Sequence, residues 1–148
     1  MGEMNIEIRR IFEATTNWAD DIAELAKQIA RKDVAFNREA LAHVIARDCL
    51  LAALRGSDEK IIGMALLAAV QAPTGCCGFV TDFAVLQFCA GLGVEDRLIA
   101  ALVEEASRDK MKSLVYDGCR ATKEIREALS RACFTRIPDS LFHLVIRG

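Results

Sequence analysis

A glycine-containing turn, Cys89-Ala90-Gly91-Leu92-Gly93, is the segment of this sequence best suited to hold an anion. It leads into a stretch from Val94 to Ala106 with apolar residues at helical spacing. A helix that begins here leaves unpaired backbone N–H groups and the positive end of its dipole at the turn. Such groups bind phosphates and carboxylates. The glycines alone are weak evidence, because Gly-x-Gly occurs in many turns.

Two acidic residues, Glu95 and Asp96, lie in the first turn of this predicted helix. They stabilise the positive helix end, and they also place carboxylates near any bound anion. Two like charges about 4 Å apart repel by about 1 kcal/mol in water and by about 4 kcal/mol at an effective dielectric of 20. Arg97 offsets part of this repulsion if its side chain turns toward the anion. The alternative is that both acids point to solvent.

Asp82 is the candidate general base. It interrupts an otherwise apolar strand predicted from Phe79 to Leu86, on the same face as Val80 and Ala84. A carboxyl group among apolar neighbours has a raised pKa, which suits a base. The alternative is a structural aspartate that bonds to the backbone or to a neighbouring arginine.

The cysteines suggest a second kind of chemistry, nucleophilic or metal-binding. The chain has six: Cys49, Cys76, Cys77, Cys89, Cys119 and Cys133. None forms a Cys-x-x-Cys pair, and His43 and His143 are far apart in sequence, so no metal site is expected. A thiol just before a helix, as at Cys89, is acidified, but here no histidine is near and the following acids oppose a thiolate. We expect most of these cysteines to be small buried hydrophobic residues.

Apolar periodicity predicts the order strand, helix, helix, strand, strand, strand, helix, strand, helix, strand. The predicted strands are Asn5 to Phe12, Cys49 to Leu54, Lys60 to Gln71, Phe79 to Leu86, Ser113 to Tyr116 and Leu141 to Ile146. The predicted helices start at Asn17, after Asn37, at Gly93 and at Thr122. A hairpin followed by a crossover helix predicts an α/β fold: a mixed, mostly antiparallel central sheet flanked by helices.

Length and composition predict a single domain over residues 1–148. The chain is 53% hydrophobic with a net charge of −2, which excludes a disordered chain and argues against nucleic-acid binding. No apolar run approaches the roughly 18 residues that mark a membrane span. The first ten residues lack the apolar core of a secretory signal, so we expect a cytoplasmic protein with reduced thiols.

The chain resembles the GNAT (GCN5-related N-acetyltransferase) family over nearly its whole length. The resemblance rests on three segments: Val80-Thr81-Asp82-Phe83-Ala84-Val85, Gly91-Leu92-Gly93-Val94, and Leu98-Ile99 with Leu102. It implies an acyl-CoA-dependent N-acetyltransferase that uses acetyl-CoA and an unknown small-molecule or protein amine.

The same resemblance implies a set of roles. Backbone N–H groups from Gly91 to Val94 hold the pyrophosphate, beside Arg97. The pantetheine arm lies between two strands that splay apart after a bulge, along Val85 and Leu86. A backbone N–H near Val85 holds the oxyanion, and Asp82 is the base.

The sequence also departs from the family pattern. Ala90 stands where the family has Arg or Gln, and Glu95 where it has Gly or Ala. Leu129 replaces the tyrosine that acts as general acid, and Cys133 replaces a glycine. Tyr116, the only tyrosine of the chain, is therefore the candidate acid; its alternative is a half-buried strand residue with its hydroxyl at the rim.

Three hypotheses remain open from the sequence. The first is the acyltransferase, and the second is a binding module of the same fold without turnover, which the departures at Ala90 and Glu95 favour. The third is a homodimer in which the terminal strand, with Leu141, Leu144 and Ile146, pairs with a second copy. No motif identifies the acceptor.

Overall fold

A seven-stranded sheet and four helices form the fold in the computed structural model, which describes residues 5–29, 36–118, 121–137 and 141–146. The strands are β1 (Ile6–Ile11), β2 (Cys49–Arg55), β3 (Ile61–Ala72), β4 (Gly75–Val85), β5 (Ser113–Asp117), β6 (Thr135–Ile137) and β7 (Leu141–Val145). The helices are α1 (Thr16–Ala26), α2 (Arg38–Arg47), α3 (Val94–Arg108) and α4 (Lys123–Arg131). The sheet order is β1-β2-β3-β4-β5-β7-β6.

The mixed, mostly antiparallel sheet is confirmed. Among the described strands, β4 and β5 form the parallel pair, joined by the α3 crossover, and the other neighbouring pairs are antiparallel. The predicted loop from Ala72 to Gly78 is wrong, because β4 begins at Gly75, which pairs with Ala72. The β3–β4 hairpin therefore turns tightly at Pro73-Thr74.

Helices cover both faces of the central strands. Residues Cys49 to Leu54 of β2 and Ile61 to Leu67 of β3 are buried without alternation, as expected for strands covered on both sides. Both α1 and α3 pack on β3. None of the helices in the described ranges is long and apolar enough to cross a membrane.

Helix α1 is attached to the turn between β2 and β3. The Trp18 indole N–H donates to the Glu59 carbonyl oxygen at 3.1 Å, and the Arg9 guanidinium lies 5.9 Å from the centre of the Trp18 ring. The predicted cap at Asn17 is wrong by two residues: the Thr15 hydroxyl accepts from the Trp18 N–H. The caps expected at Asn37 and Thr122 are confirmed, since each side chain accepts a first-turn N–H.

The terminal strand β7 lies inside the sheet, between β5 and β6. The three-residue strand β6 was not predicted, because it is too short to show alternation, and it forms this edge of the sheet. It pairs with β7 from Leu141 to His143. Over these three residues β6 takes the edge that a second copy would need, and the predicted homodimer stays a hypothesis.

Helix α4 ends in a left-handed residue that is not glycine. Cys133 has φ of 67°, and its N–H donates to the Ser130 carbonyl while the Phe134 N–H donates to Leu129. These two bonds are the Schellman arrangement, in which glycine is favoured because any Cβ is strained at positive φ. Cys133 therefore stores backbone strain at an exposed position.

We expect Cys133→Gly to raise the free energy of unfolding by up to about 1 kcal/mol, because it relieves a left-handed conformation that costs a side chain about 1–2 kcal/mol, less the entropic cost of glycine. Urea denaturation measures the change. Cys133→Ala is the matched control: it removes the thiol but keeps the Cβ, and its stability should equal wild type. Equal stability of the two variants would contradict this account.

Candidate functional site

The pairing between β4 and β5 ends before β4 does, and the gap beside the unpaired edge of β4 is here called the cleft. The parallel ladder runs from Gly78 with Leu114 to Val80 with Tyr116. Beyond that pair β4 continues to Val85, whereas β5 ends at Asp117. The predicted parallel neighbours are confirmed, and their ladder ends before the C-terminal end of β4, as the predicted divergence requires.

A bulge in β4 lies at the start of this cleft. Leu66 pairs with Thr81 and Met64 with Ala84, so β4 has one residue more than β3 between these pairs. Asp82 takes up the extra length with φ of 50°. The bulge breaks the alternation: Thr81 and Asp82 are both exposed, and Phe83 and Ala84 are both buried. The predicted face shared by Val80, Asp82 and Ala84 is therefore wrong.

The Asp82 carboxyl group stands on the lip of the cleft. Partial desolvation raises its pKa above the ordinary value of 3.8, and a hydrogen bond from the Thr81 hydroxyl at 3.5 Å partly opposes the rise. Within the described ranges the side chain has no salt bridge, so the arginine-paired alternative is not what this structure contains. An aspartate with a raised pKa that solvent can reach has the properties of a general base.

The backbone N–H of Val85 points into the cleft. The next N–H, of Leu86, donates to the Ile62 carbonyl of β3 at 2.9 Å. Because successive N–H groups of a strand point to opposite sides, that of Val85 points away from β3, toward the splay. Of the two residues predicted along the pantetheine arm, Val85 thus offers a donor and Leu86 does not.

Tyr116 lies at the fork of the cleft, in the last residue pair of the ladder. Its ring is 5.8 Å from that of Phe83 and 6.5 Å from that of Phe142, and the residue is 5% exposed. The half-buried alternative is therefore wrong for the ring. The place of Tyr116 beside the splay is compatible with the general-acid role, which stays a prediction.

The glycine turn has the conformation expected of an anion loop. Gly91 and Gly93 have φ of 78° and 92°, which favours glycine, and Gly93 is the N-cap of α3. Its amides from Ala90 to Leu92, however, are already bonded within the chain. The Ala90 N–H donates to Gln87 and the Leu92 N–H to Cys89. The Gly91 N–H donates to the two carboxylate oxygens of Glu95 at 3.2 and 3.3 Å.

Glu95 folds back onto the turn and is 2% exposed. The solvent-facing alternative is therefore wrong for this residue. Asp96 instead points to α4, where Arg131 donates to both of its oxygens at 3.0 Å. Arg97 donates to the Ile6 carbonyl of β1, so its charge is turned away from the turn and does not offset Glu95 as expected. The backbone N–H groups in the first turn of α3 have no intrahelical acceptor, so they remain as donors for an anion.

The cysteines near the site are not activated. Cys89 is buried, and burial raises the pKa of its thiol. Burial raises the pKa of Cys49 to about 11. The described residues contain no group of three His, Cys, Asp or Glu side chains arranged to hold a metal, and Cys119 lies outside them.

Comparison with solved structures identifies the architecture. A GNAT-family acetyltransferase of Staphylococcus aureus Mu50 superposes with a TM-score of 0.73 and 11% identity, covering 97% of this chain and 100% of the other. Glucosamine-6-phosphate N-acetyltransferase of Arabidopsis thaliana gives 0.71 at 12% identity, covering 90% and 93%. A protein of Clostridium acetobutylicum that is described as a predicted acetyltransferase, solved with acetyl-CoA, gives 0.71 at 16% identity, covering 91% and 93%.

The chain has the GNAT fold. No protein-family model and no curated protein sequence matches it. The similarity to solved structures therefore lies in the backbone fold and not in the amino-acid sequence. The chemistry of the candidate site has to be argued from this chain's own side chains.

One feature of this GNAT fold was not predicted: the carboxylate of Glu95 caps the turn that precedes its own helix. The sequence carries no standard signal for it. In a capping box the side chain at N3 reaches back three residues to the N–H of the N-cap. Glu95 is at N2 and reaches back four residues, to Gly91, which lies two residues before the N-cap Gly93.

We expect Asp82→Asn to increase stability near neutral pH, because the raised pKa means that the folded protein disfavours the ionised carboxylate. The gain should be less than about 1 kcal/mol, since solvent screens an exposed site. It should disappear as the pH falls below the ordinary value of 3.8, where Asp82 is protonated in the folded and unfolded states alike. Urea denaturation across this pH range measures it. A gain that grows on acidification would contradict the raised pKa.

Proposed function

We propose that this chain is an N-acetyltransferase that uses acetyl-CoA and a primary amine of a small molecule or a protein. The observation that carries the proposal is the splay beyond Val80 and Tyr116, with a bulge on its lip and the Val85 N–H directed into it. Unpaired strand backbone of this kind suits an extended amide-containing chain, which is what a pantetheine arm is. The acetyl-CoA complex of the Clostridium protein, which has this fold, adds support.

The residues around the cleft divide the chemistry between them. Asp82 accepts a proton from the incoming ammonium, so that the neutral nitrogen can attack the thioester carbonyl. The Val85 N–H donates to the carbonyl oxygen as negative charge develops on it. Tyr116 donates its hydroxyl proton to the departing sulfur as the carbon–sulfur bond breaks, and its phenolate takes up the second proton that the attacking nitrogen loses on becoming an amide. Acetyl-CoA supplies the activated acetyl group, and the products are an amide and a thiol.

The pantetheine part of acetyl-CoA fits the cleft better than its diphosphate fits the turn. The splay offers backbone groups without strand partners, whereas the Gly91 N–H already bonds to Glu95. This mismatch favours a second candidate function, a binding module of the same fold without turnover. Detection of acetyl transfer to an amine distinguishes the enzyme from the binding module.

We expect Asp82→Asn to lower kcat by about 10²–10⁴-fold near neutral pH, as for loss of a general base. The loss should shrink in alkaline buffer, where the acceptor amine is already neutral. CoA release is followed by chromatography with a panel of amines and peptides, since the exposed Cys133 would react with thiol reagents. Glu104→Gln, at an α3 side chain that is 72% exposed, is the charge-matched control. No transfer by wild type to any amine would favour the module.

We expect Tyr116→Phe to lower kcat by about 10²-fold and to leave KM unchanged, because only the proton donor to the leaving sulfur is removed. The ring contacts with Phe83 and Phe142 are kept, so the fold should persist. Steady-state kinetics measure kcat and KM, and far-UV circular dichroism measures whether the fold persists. A kcat within about twofold of wild type would assign the acid to water and remove Tyr116 from the site.

A further inference from the structure

The turn before α3 is electrostatically unsuited to a polyanion. Glu95 is buried against the Gly91 N–H, and one N–H cannot serve a carboxylate and a diphosphate oxygen fully at the same time. A second acid flanks the same glycine: a Cβ at Gly91 would lie 3.9 Å from Cγ of Glu124. Asp96 brings a third carboxylate to the same helix end.

The cations that could balance these acids are engaged. Arg131 is bonded to both oxygens of Asp96, and Arg97 is turned onto the Ile6 carbonyl. Ala90, at the position of the family's polar residue, contributes no donor side chain. Asp96 is balanced by Arg131, whereas Glu95 and Glu124 have no ion pair among the described residues, so an incoming diphosphate meets repulsion as well as an engaged donor.

The turn also exposes apolar side chains. Phe88 is 66% and Leu92 is 56% exposed, one on each side of Gly91 in sequence. Large exposed apolar residues beside a binding cleft favour contact with uncharged groups. The donors that remain for recognition are the Val85 N–H in the splay and the first-turn amides of α3, and only the latter lie beside the carboxylate of Glu95.

We propose, on the basis of the proposed function, that this site recognises its acyl donor by the pantetheine thioester alone and gains nothing from the nucleotide diphosphate. Glu95 is the residue that sets this selectivity, because its carboxylate takes the position and the donor that a diphosphate needs. The ligand class is thus an acylated pantetheine arm, with or without a nucleotide attached to it.

The test compares three donors: acetyl-CoA, S-acetyl-4′-phosphopantetheine and S-acetylpantetheine. Titration calorimetry at low salt should give wild-type affinities for all three within about threefold of one another. Glu95→Ala should bind acetyl-CoA at least about tenfold more tightly and leave S-acetylpantetheine unchanged. High salt should reduce the gain, because screening weakens repulsion between charges near solvent.

Two further variants separate the effect of the Glu95 charge from the effect of its hydrogen bond with the Gly91 N–H. In Glu95→Gln the amide oxygen still accepts from the Gly91 N–H without a charge, so its gain for acetyl-CoA should be intermediate. Glu104→Ala removes a carboxylate farther along α3, at an exposed site, and should change nothing. The wild-type comparison of the three donors needs no variant, so it stands even if a substitution at the buried Glu95 impairs folding.

Two results would overturn the inference, and only the second of them would also overturn the proposed function. In the first result, wild type binds acetyl-CoA at least about tenfold more tightly than S-acetylpantetheine, and Glu95→Ala leaves both affinities unchanged. The diphosphate then contributes despite Glu95, and the proposed function stands. Alternatively, no donor binds to wild type or to any variant, in which case the proposed function and the inference fail together.

Discussion

Between Met64 and Leu66, β3 provides one residue where β4 provides two, Asp82 and Phe83. The strands remain paired on both sides of this mismatch, so the surplus is absorbed locally as a bulge with a left-handed residue. The bulge falls directly after Val80, where β4 loses its ladder with β5. One inserted residue thus accounts for both the opening of the cleft and the exposure of a carboxylate at its lip.

The carboxylate of Glu95 gives the turn a second internal constraint. It satisfies an N–H that would otherwise depend on solvent or a ligand, and it lies at the positive end of α3, where negative charge is stabilising. The turn before the helix is therefore held without a bound anion, while the first-turn amides of α3 keep no intrahelical acceptor. A ligand that needs the Gly91 N–H has to displace a bond that the chain already makes, whereas a ligand of the splay displaces none of the strand pairs described.

Local signals predicted most of the fold. The caps at Asn37 and Thr122 and the parallel pair around α3 follow from side-chain chemistry and connection rules that act within a few residues. Strand β6 was missed because three residues show no period, and the Asp82 face was wrong because a bulge depends on the partner strand. The bond from Gly91 to Glu95 spans four residues but matches no standard capping spacing, and the position of Arg97 depends on a tertiary contact with Ile6.

The attachment of α1 gives the molecule a built-in optical reporter. Trp18 is the only tryptophan of the chain, and its indole is bonded to Glu59 beneath the Arg9 guanidinium. Its fluorescence is therefore sensitive to the docking of α1 on the β2–β3 turn. The aromatic residues at the fork of the cleft are Tyr116 and Phe83, so tyrosine emission belongs to that region. Two emission bands thus follow two separate parts of one fold without any label.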